Sequence, residues 1–213
     1  MFFKKLHLPS PEWRGYILFM DPREAKSHLR AAIRDRLSHI SDKERHAESR
    51  SLCKRIAEHL PAKPVTICGY YPLKDEIDLR PVLIPLIEQG WPVYLPRFED
   101  GKLAFRKAAA SSFDDLTPGP WGIPEPALTA EALDPLKLAI ALVPARAYTL
   151  TGERLGRGNG GYDIWIRKQR SLNPKTKFWG VCLEAQIVQD IPMEEHDERV
   201  DAIVTAREFH GIV

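Results

Sequence analysis

Leu138-Ala-Ile-Ala-Leu-Val143, followed after a short break by Arg154-Leu-Gly-Arg-Gly-Asn-Gly-Gly-Tyr-Asp163, sets the fold of this chain. The first run is apolar at every position. A strand of that kind is buried on both faces, so it belongs at the centre of a sheet. The second run packs four glycines, Gly156, Gly158, Gly160 and Gly161, into six positions. Glycine accepts positive φ and carries no side chain, so such a loop lets backbone N–H groups converge on an anion. Arg154 and Arg157 add charge that complements phosphate. Tyr162 to about Lys168 reads as a helix, which puts the loop at a helix N-terminus, where the dipole also favours an anion. Asp163 closes the run and has the chemistry to hold a magnesium ion on those phosphates. A purely structural turn is the other reading of the same glycines. The run is not a Walker loop, since it lacks Gly-Lys-Ser/Thr. Gly156, Gly158 and Gly161 form Gly-x-Gly-x-x-Gly, but no acidic residue follows on a strand end about 20 positions later.

Outward from this centre, strands and helices alternate. Asp21 and Pro22 open a helix over about 23–38 with Leu29, Ile33 and Leu37 on one stripe. Ser41-Asp-Lys-Glu44 is a capping box for a second helix, with Ala47, Leu52, Ile56 and Leu60 towards the core. Val65 to Tyr71 reads as a buried strand between Pro64 and Pro72. Asp78 caps a helix with Val82, Leu83, Leu86 and Ile87 that stops at Gly90. Pro92–Leu95, Leu103–Arg106, Phe178–Leu183 and Val200–Thr205 are further strands, and residues 108–136 form an irregular stretch with five prolines. The pattern predicts an α/β fold: three layers, doubly wound, with a mostly parallel sheet and helices on both faces. Ligands of such sheets bind beyond the carboxyl ends of the strands, where the glycine loop falls.

The whole chain narrows the function classes. Its 213 residues suffice for one sizeable domain. A net charge of +2 argues against a nucleic-acid partner. No run approaches a membrane span of about 20 apolar residues. The three cysteines show no metal spacing, and Cys68 and Cys182 sit in apolar strands, which suits a reducing cytoplasm. Residues 1–19 mix Lys4, Lys5 and Arg14 with scattered aromatics and have no apolar signal-peptide core. They read as an appendage, and residues 20–213 as a single domain. A monomer is expected.

An ordered set of motifs carries a family resemblance. Lys26-x-x-x-Arg30, Asp75-Glu-Ile-Asp78, Leu95-Pro-Arg97, Trp121-Gly-Ile-Pro-Glu-Pro126 and Val143-Pro144 come first. Gly152-x-Arg-Leu-Gly-x-Gly-x-Gly-x-Tyr-Asp163, Gln186 and His196-Asp-x-x-Val-Asp201 follow. Between Lys26 and Thr205 the chain resembles the 5-formyltetrahydrofolate cyclo-ligase family. The glycine block is its most specific part. Three positions depart from the common pattern: Gly161 replaces an aromatic residue, position 159 is Asn, and Tyr148-Thr149 replaces Phe-Asp.

The resemblance implies an enzyme that uses ATP and Mg2+ to close 5-formyltetrahydrofolate into 5,10-methenyltetrahydrofolate through an iminium phosphate. It places ATP on Lys26, Arg30, Arg154, Gly156, Arg157, Gly158, Asn159, Gly160, Gly161 and Tyr162. It places the folate on Tyr71, Glu76, Trp121, Arg157 and Gly161, and magnesium on Asp163 and Asp197. No covalent nucleophile or general base is required, and His196 reads as a surface histidine. Arg154→Ala is expected to weaken ATP binding with the fold intact. Lys26 and Arg30, four residues apart, share one helix face, which without the resemblance reads as a solvated basic face. A non-catalytic folate- or nucleotide-binding relative and a sugar-phosphate isomerase or transferase on a similar sheet are the competing readings.

Overall fold

The computed structural model describes residues 21–109, 113, 117–119 and 122–212. The appendage 1–19 and Trp121 lie outside the described residues. Helix α1 (Pro22–Ser38) starts where the Asp21 carboxylate accepts hydrogen bonds from the Arg23 and Glu24 amides, and it buries Ala25, Leu29, Ile33 and Leu37. Helix α2 (Asp42–His59) opens on the expected Ser41–Glu44 capping box. It buries Ser49, Leu52, Cys53 and Ile56. Ala47, expected in the core, is exposed because it lies about 140° round the helix from Leu52.

Strand β1 is shorter than expected, Thr66–Cys68. The chain then leaves the sheet through Gly69, against which the Leu83 side chain packs too closely for any Cβ. Helix α3 (Arg80–Glu88) carries Leu79 at its cap position with no side-chain bond. Asp78, expected as the cap, sits one residue earlier and accepts from the Arg80 amide at 3.0 Å and from its guanidinium. Strands β2 (Val93–Glu99) and β3 (Lys102–Lys107) form an antiparallel hairpin. Its turn, Asp100-Gly101, has positive φ at both residues, the geometry that matches strand twist. This pairing carries β2 beyond the expected Leu95. Within the irregular stretch, β4 (Thr117–Pro118) and β5 (Pro124–Glu125) pair briefly.

Strand β6 (Leu138–Pro144) takes the central place that its apolar run demands. The short ribbon of β7 (Ala147–Tyr148) and β8 (Arg154–Leu155) follows it and supports the glycine loop. Helix α4 (Gly161–Leu172) starts after Gly160, whose φ is +67°. It runs one turn longer than the sequence pattern marks. Strands β9 (Lys177–Val181), β10 (Ala202–Val204) and β11 (Phe209–Gly211) complete the sheet. Its order is β11-β10-β9-β6-β1-β2-β3, parallel except at the two edges. Helices α1, α2 and α3 pack on one face with Ile67, Leu142 and Val181, while α4 covers the other through Trp165 and Ile166 against Phe105 and Phe178. This is the expected three-layer α/β architecture.

The ribbon is fastened to the sheet at one crowded point. Tyr148 is fully buried and its hydroxyl donates to the Val143 carbonyl at 2.6 Å. Its ring lies over Gly180 in β9, where a Cβ would sit 2.6 Å from Cε1 and 2.7 Å from Cζ. Gly180→Ala therefore overpacks a ring that cannot move. We predict a loss of about 1–3 kcal/mol in urea unfolding. An effect below about 0.5 kcal/mol would show that the ribbon can shift without cost.

Candidate active site

The chain leaves β1 towards β2 on one side of the sheet and leaves β6 towards β9 on the other. The adjacent ends of β1 and β6 form the switch point at which open α/β sheets take ligands. Segment 69–76 follows β1 and the ribbon with the glycine loop follows β6. Between them and β2 lies a cavity of about 850 Å³. Ten expected site residues line it: Tyr71, Glu76, Arg154, Gly156, Arg157, Asn159, Gly160, Gly161, Tyr162 and Asp163. Lys26, Arg30, Gly158 and Asp197 do not. They stand on the far side of the loop, so the glycine run separates two environments.

Positive φ is required at Gly158 (+107°) and Gly160 (+67°). Gly161 has no such φ, and a Cβ there would meet only ordinary contacts with Phe98 and Asn159, at 3.7 and 3.8 Å. Its lack of a side chain is not a backbone necessity. The Asn159 side-chain oxygen accepts from the Gly161 amide at 3.3 Å.

Lys26 and Arg30, outside the cavity, and Arg154, in its wall, share one neighbourhood with Glu194, Asp197 and Asp163. Lys26 is only 5% exposed and donates to Glu194 at 2.7 Å and to Asp197 at 2.5 Å. The 194–198 turn reinforces this group, because the Asp197 carboxylate accepts from the Glu194 amide at 2.7 Å. Arg30 donates to the Gly156 carbonyl at 2.8 Å and props the loop from behind. Burial pulls the Arg30 guanidinium pKa down, against the opposing pull of Asp197, Asp163 and Glu194. Arg154, 4% exposed, pairs with Asp163 at 2.7 Å. Asp163 also accepts from the Glu198 amide at 3.2 Å. His196 has an exposed side chain, as a surface histidine should. Glu194 is a residue the sequence reading missed. Its signal is its place in the same turn as Asp197.

On the cavity side, Arg157 donates to Glu76 at 2.8 and 3.2 Å and to Asp75 at 2.8 Å. Asp75 also takes a short hydrogen bond from Arg146. Burial pushes the Asp75 carboxyl pKa up, but the hydrogen bonds and charges of Arg157 and Arg146 outweigh it and leave it below the ordinary value. The second oxygen of Glu76 accepts from the Leu73 amide at 3.0 Å. Asp75 and Arg146 were also missed, although Asp75 is the other half of an adjacent acidic pair. Tyr162 is half-buried under the Arg154 guanidinium, which lies 5.7 Å from its ring centre, and desolvation of its hydroxyl raises that group's pKa. Tyr71 is half-buried and stacks on Phe113 with ring centres 6.3 Å apart.

Among the described residues no three His, Cys, Asp or Glu side chains gather as a metal cage. Magnesium takes one or two carboxylates and completes its shell with water and substrate phosphate. Asp163 and Asp197 carry hard oxygen donors, which here accept from Arg154 and the Glu198 amide and from Lys26 and the Glu194 amide. Among the described residues no helix is long and apolar enough to cross a membrane.

The burial of Arg154 and its pairing with Asp163 argue against the expectation that its loss leaves the fold intact. Arg154→Ala strands the Asp163 carboxylate in a poorly hydrated place, which costs about 3 kcal/mol or more. We predict a matching fall in stability by chemical denaturation. The Arg154→Ala/Asp163→Asn double variant should recover much of it. Parental stability in Arg154→Ala would contradict this pairing.

A family model described as the 5-formyltetrahydrofolate cyclo-ligase family matches residues 22–206. A mouse protein named 5-formyltetrahydrofolate cyclo-ligase is 27% identical over 192 residues, which cover 84% of this chain and 93% of the mouse protein. An Escherichia coli K12 protein of the same name is 28% identical, covering 81% and 96%. The NMR structure of Aquifex aeolicus 5,10-methenyltetrahydrofolate synthetase superposes with a TM-score of 0.73 at 28% identity, covering 88% of this chain and 92% of that one. The match takes in α1, the glycine loop and the 194–198 turn together. This chain belongs to the 5-formyltetrahydrofolate cyclo-ligase family.

Proposed function

We propose that this protein closes 5-formyltetrahydrofolate to 5,10-methenyltetrahydrofolate with consumption of ATP. The observation that carries the reading is the glycine loop, with Lys26 and Arg30 behind it, the cavity holding Glu76 in front, and Arg154 and Asp163 in the cavity wall. ATP takes the cationic face and the folate takes the cavity. The γ-phosphate reaches the cavity where Arg154 and Asp163 line it, and the formyl oxygen meets the γ-phosphorus there.

Lys26, Arg30 and Arg154 neutralise the phosphates, and the loop amides next to Gly158 and Gly160 donate to their oxygens. Asp163 and Asp197 would hold magnesium, which spreads phosphate charge when bound. Glu76 accepts N–H bonds from the pterin edge, with Tyr71 and Trp121 as the ring's apolar neighbours. For that, Arg157 must loosen its hold on Glu76, and Asp75 keeps the freed guanidinium at the loop. The formyl oxygen attacks the γ-phosphorus and ADP leaves, which gives an iminium phosphate. Nitrogen 10 attacks the activated carbon, and phosphate leaves. Positioning and electrostatics carry such phosphoryl transfer, so no covalent protein nucleophile is needed.

The test is a spectrophotometric assay with 5-formyltetrahydrofolate, ATP and magnesium, following the methenyl chromophore. We expect turnover that requires both ATP and magnesium. Folded protein that binds the folate without turnover would identify a non-catalytic relative. Protein that binds neither compound would remove the folate reading.

Gly161 supplies a sharper check. Its backbone does not require glycine, and a Cβ there would make only ordinary contacts with Phe98 and Asn159. We predict that Gly161→Tyr is folded and active, with a folate KM equal to or below the parent's. Loss of ATP binding in a folded Gly161→Tyr protein would instead place Gly161 in the phosphate cradle.

A further inference from the structure

Arg157 is held between two carboxylates. Its Nη2 donates to Glu76 and to Asp75, in each case at 2.8 Å, and its Nε adds a bond to Glu76 at 3.2 Å. Glu76 is fixed from behind. Its amide donates to the Leu73 carbonyl at 3.0 Å, and its second oxygen accepts from the Leu73 amide. The oxygen that faces Arg157 is therefore the one Glu76 offers to a ligand. Arg157 itself sits between Gly156 and Gly158, with a side chain 31% exposed. A glycine-flanked arginine has the freedom to turn from one carboxylate to the other.

Arg146 is the fixed counterpart. Its amide donates to the Leu155 carbonyl at 2.7 Å, which ties it to the β7–β8 ribbon. Gln186, a motif residue outside the cavity, is 2% exposed and donates to the Ala145 and Arg146 carbonyls at 2.8 and 3.2 Å. The Arg146 side chain ends on the Asp75 oxygen that Arg157 does not use. Neither Asp75 nor Arg146 lines the cavity. The single charge of Asp75 is thus shared by two guanidinium groups. Divided attraction, and the like charge of Arg146 beside Arg157, both weaken the hold of Asp75 and leave Arg157 to Glu76.

We propose that Arg146 is a positioning residue that sets folate affinity by acting through Asp75 on Arg157. The proposal rests on the folate reading of the cavity. The pterin edge takes the Glu76 oxygen once Arg157 has gone over to Asp75. Asp75 favours that transfer and Arg146 opposes it. The two are ion-paired neighbours outside the cavity, yet losing one has the opposite effect on folate from losing the other. Without Arg146, Asp75 holds Arg157 with its undivided charge, and Glu76 is freed. Without the Asp75 charge, Arg157 stays on Glu76, repelled towards it by Arg146. A pair that only braced the loop would weaken folate binding whichever partner was lost.

The experiment is calorimetric titration of 5-formyltetrahydrofolate into the nucleotide-free protein. Arg146→Gln and Asp75→Asn are each made alone and in an Arg157→Gln background, and circular dichroism checks every fold. These charge pairs are only partly buried, so Arg146→Gln should tighten folate binding about three- to tenfold, and Asp75→Asn should weaken it by a similar factor. Without Arg157 the two substitutions have nothing to act through, and both shifts should shrink to within about twofold. If Arg146→Gln does not fold, the Asp75→Asn shift and its dependence on Arg157 test the same transfer. Shifts of the same sign, no shift, or shifts that persist in the Arg157→Gln background would overturn the role of Arg146 alone. A parent that binds no folate would overturn the folate reading of the cavity, and this role with it.

Discussion

Lys26 is a buried lysine, and a buried ammonium must have anionic partners close by or lose its charge. Its partners, Glu194 and Asp197, come from a turn 168 and more residues away. That bond fixes the first turn of α1 against the segment before β10. Arg30, one turn along, reaches the Gly156 carbonyl and sets the height of the glycine loop. Arg154 and Asp163 fasten the two ends of that loop to each other. The placement of the loop between two environments therefore follows from this group of charges, with the sheet as its base.

Buried ion pairs are poor sources of net stability, because desolvation offsets most of the attraction. A cluster of three cations and three carboxylates at the end of a sheet points instead to exchange. On the proposed reading, phosphate oxygens and a divalent cation would take over as partners: Lys26, Arg30 and Arg154 would turn to the phosphates, and Asp163 and Asp197 to the metal. The cost of assembling the charges would then be met in folding, and nucleotide would enter a site already arranged for it. The Arg157–Glu76 pair would play the same part for the folate, because it occupies the acceptor proposed for the pterin.

Much of this was legible in the sequence because it depends on local rules. The Ser41 box, the Asp21 cap and the central apolar run at Leu138–Val143 each have one physical meaning, and each appears in the structure. The glycine loop was legible as a strand–helix junction, and the structure has it between β8 and α4. What stayed hidden depends on contacts between distant segments. Sequence spacing does not reveal that Glu194 meets Lys26, that Asp75 bridges Arg146 and Arg157, or that Arg154 is buried. Ala47 misled because alanine fits a helix on either face. Asp78 misled because a carboxylate can serve a helix start from more than one position. The edge strand β11 carries too short an apolar signal, Phe209–Gly211, to stand out.

The exchange of partners at the loop is the central claim, and calorimetric titration with a non-hydrolysable ATP analogue tests it most directly. With magnesium present, the carboxylates acquire the metal and the cations acquire phosphate, so binding should be tight. Without magnesium, Asp163, Glu194 and Asp197 face the phosphates uncompensated, and affinity should fall at least tenfold, or about 1.4 kcal/mol. Equal affinity with and without magnesium would mean that the carboxylates keep their protein partners when nucleotide binds, and would contradict the account.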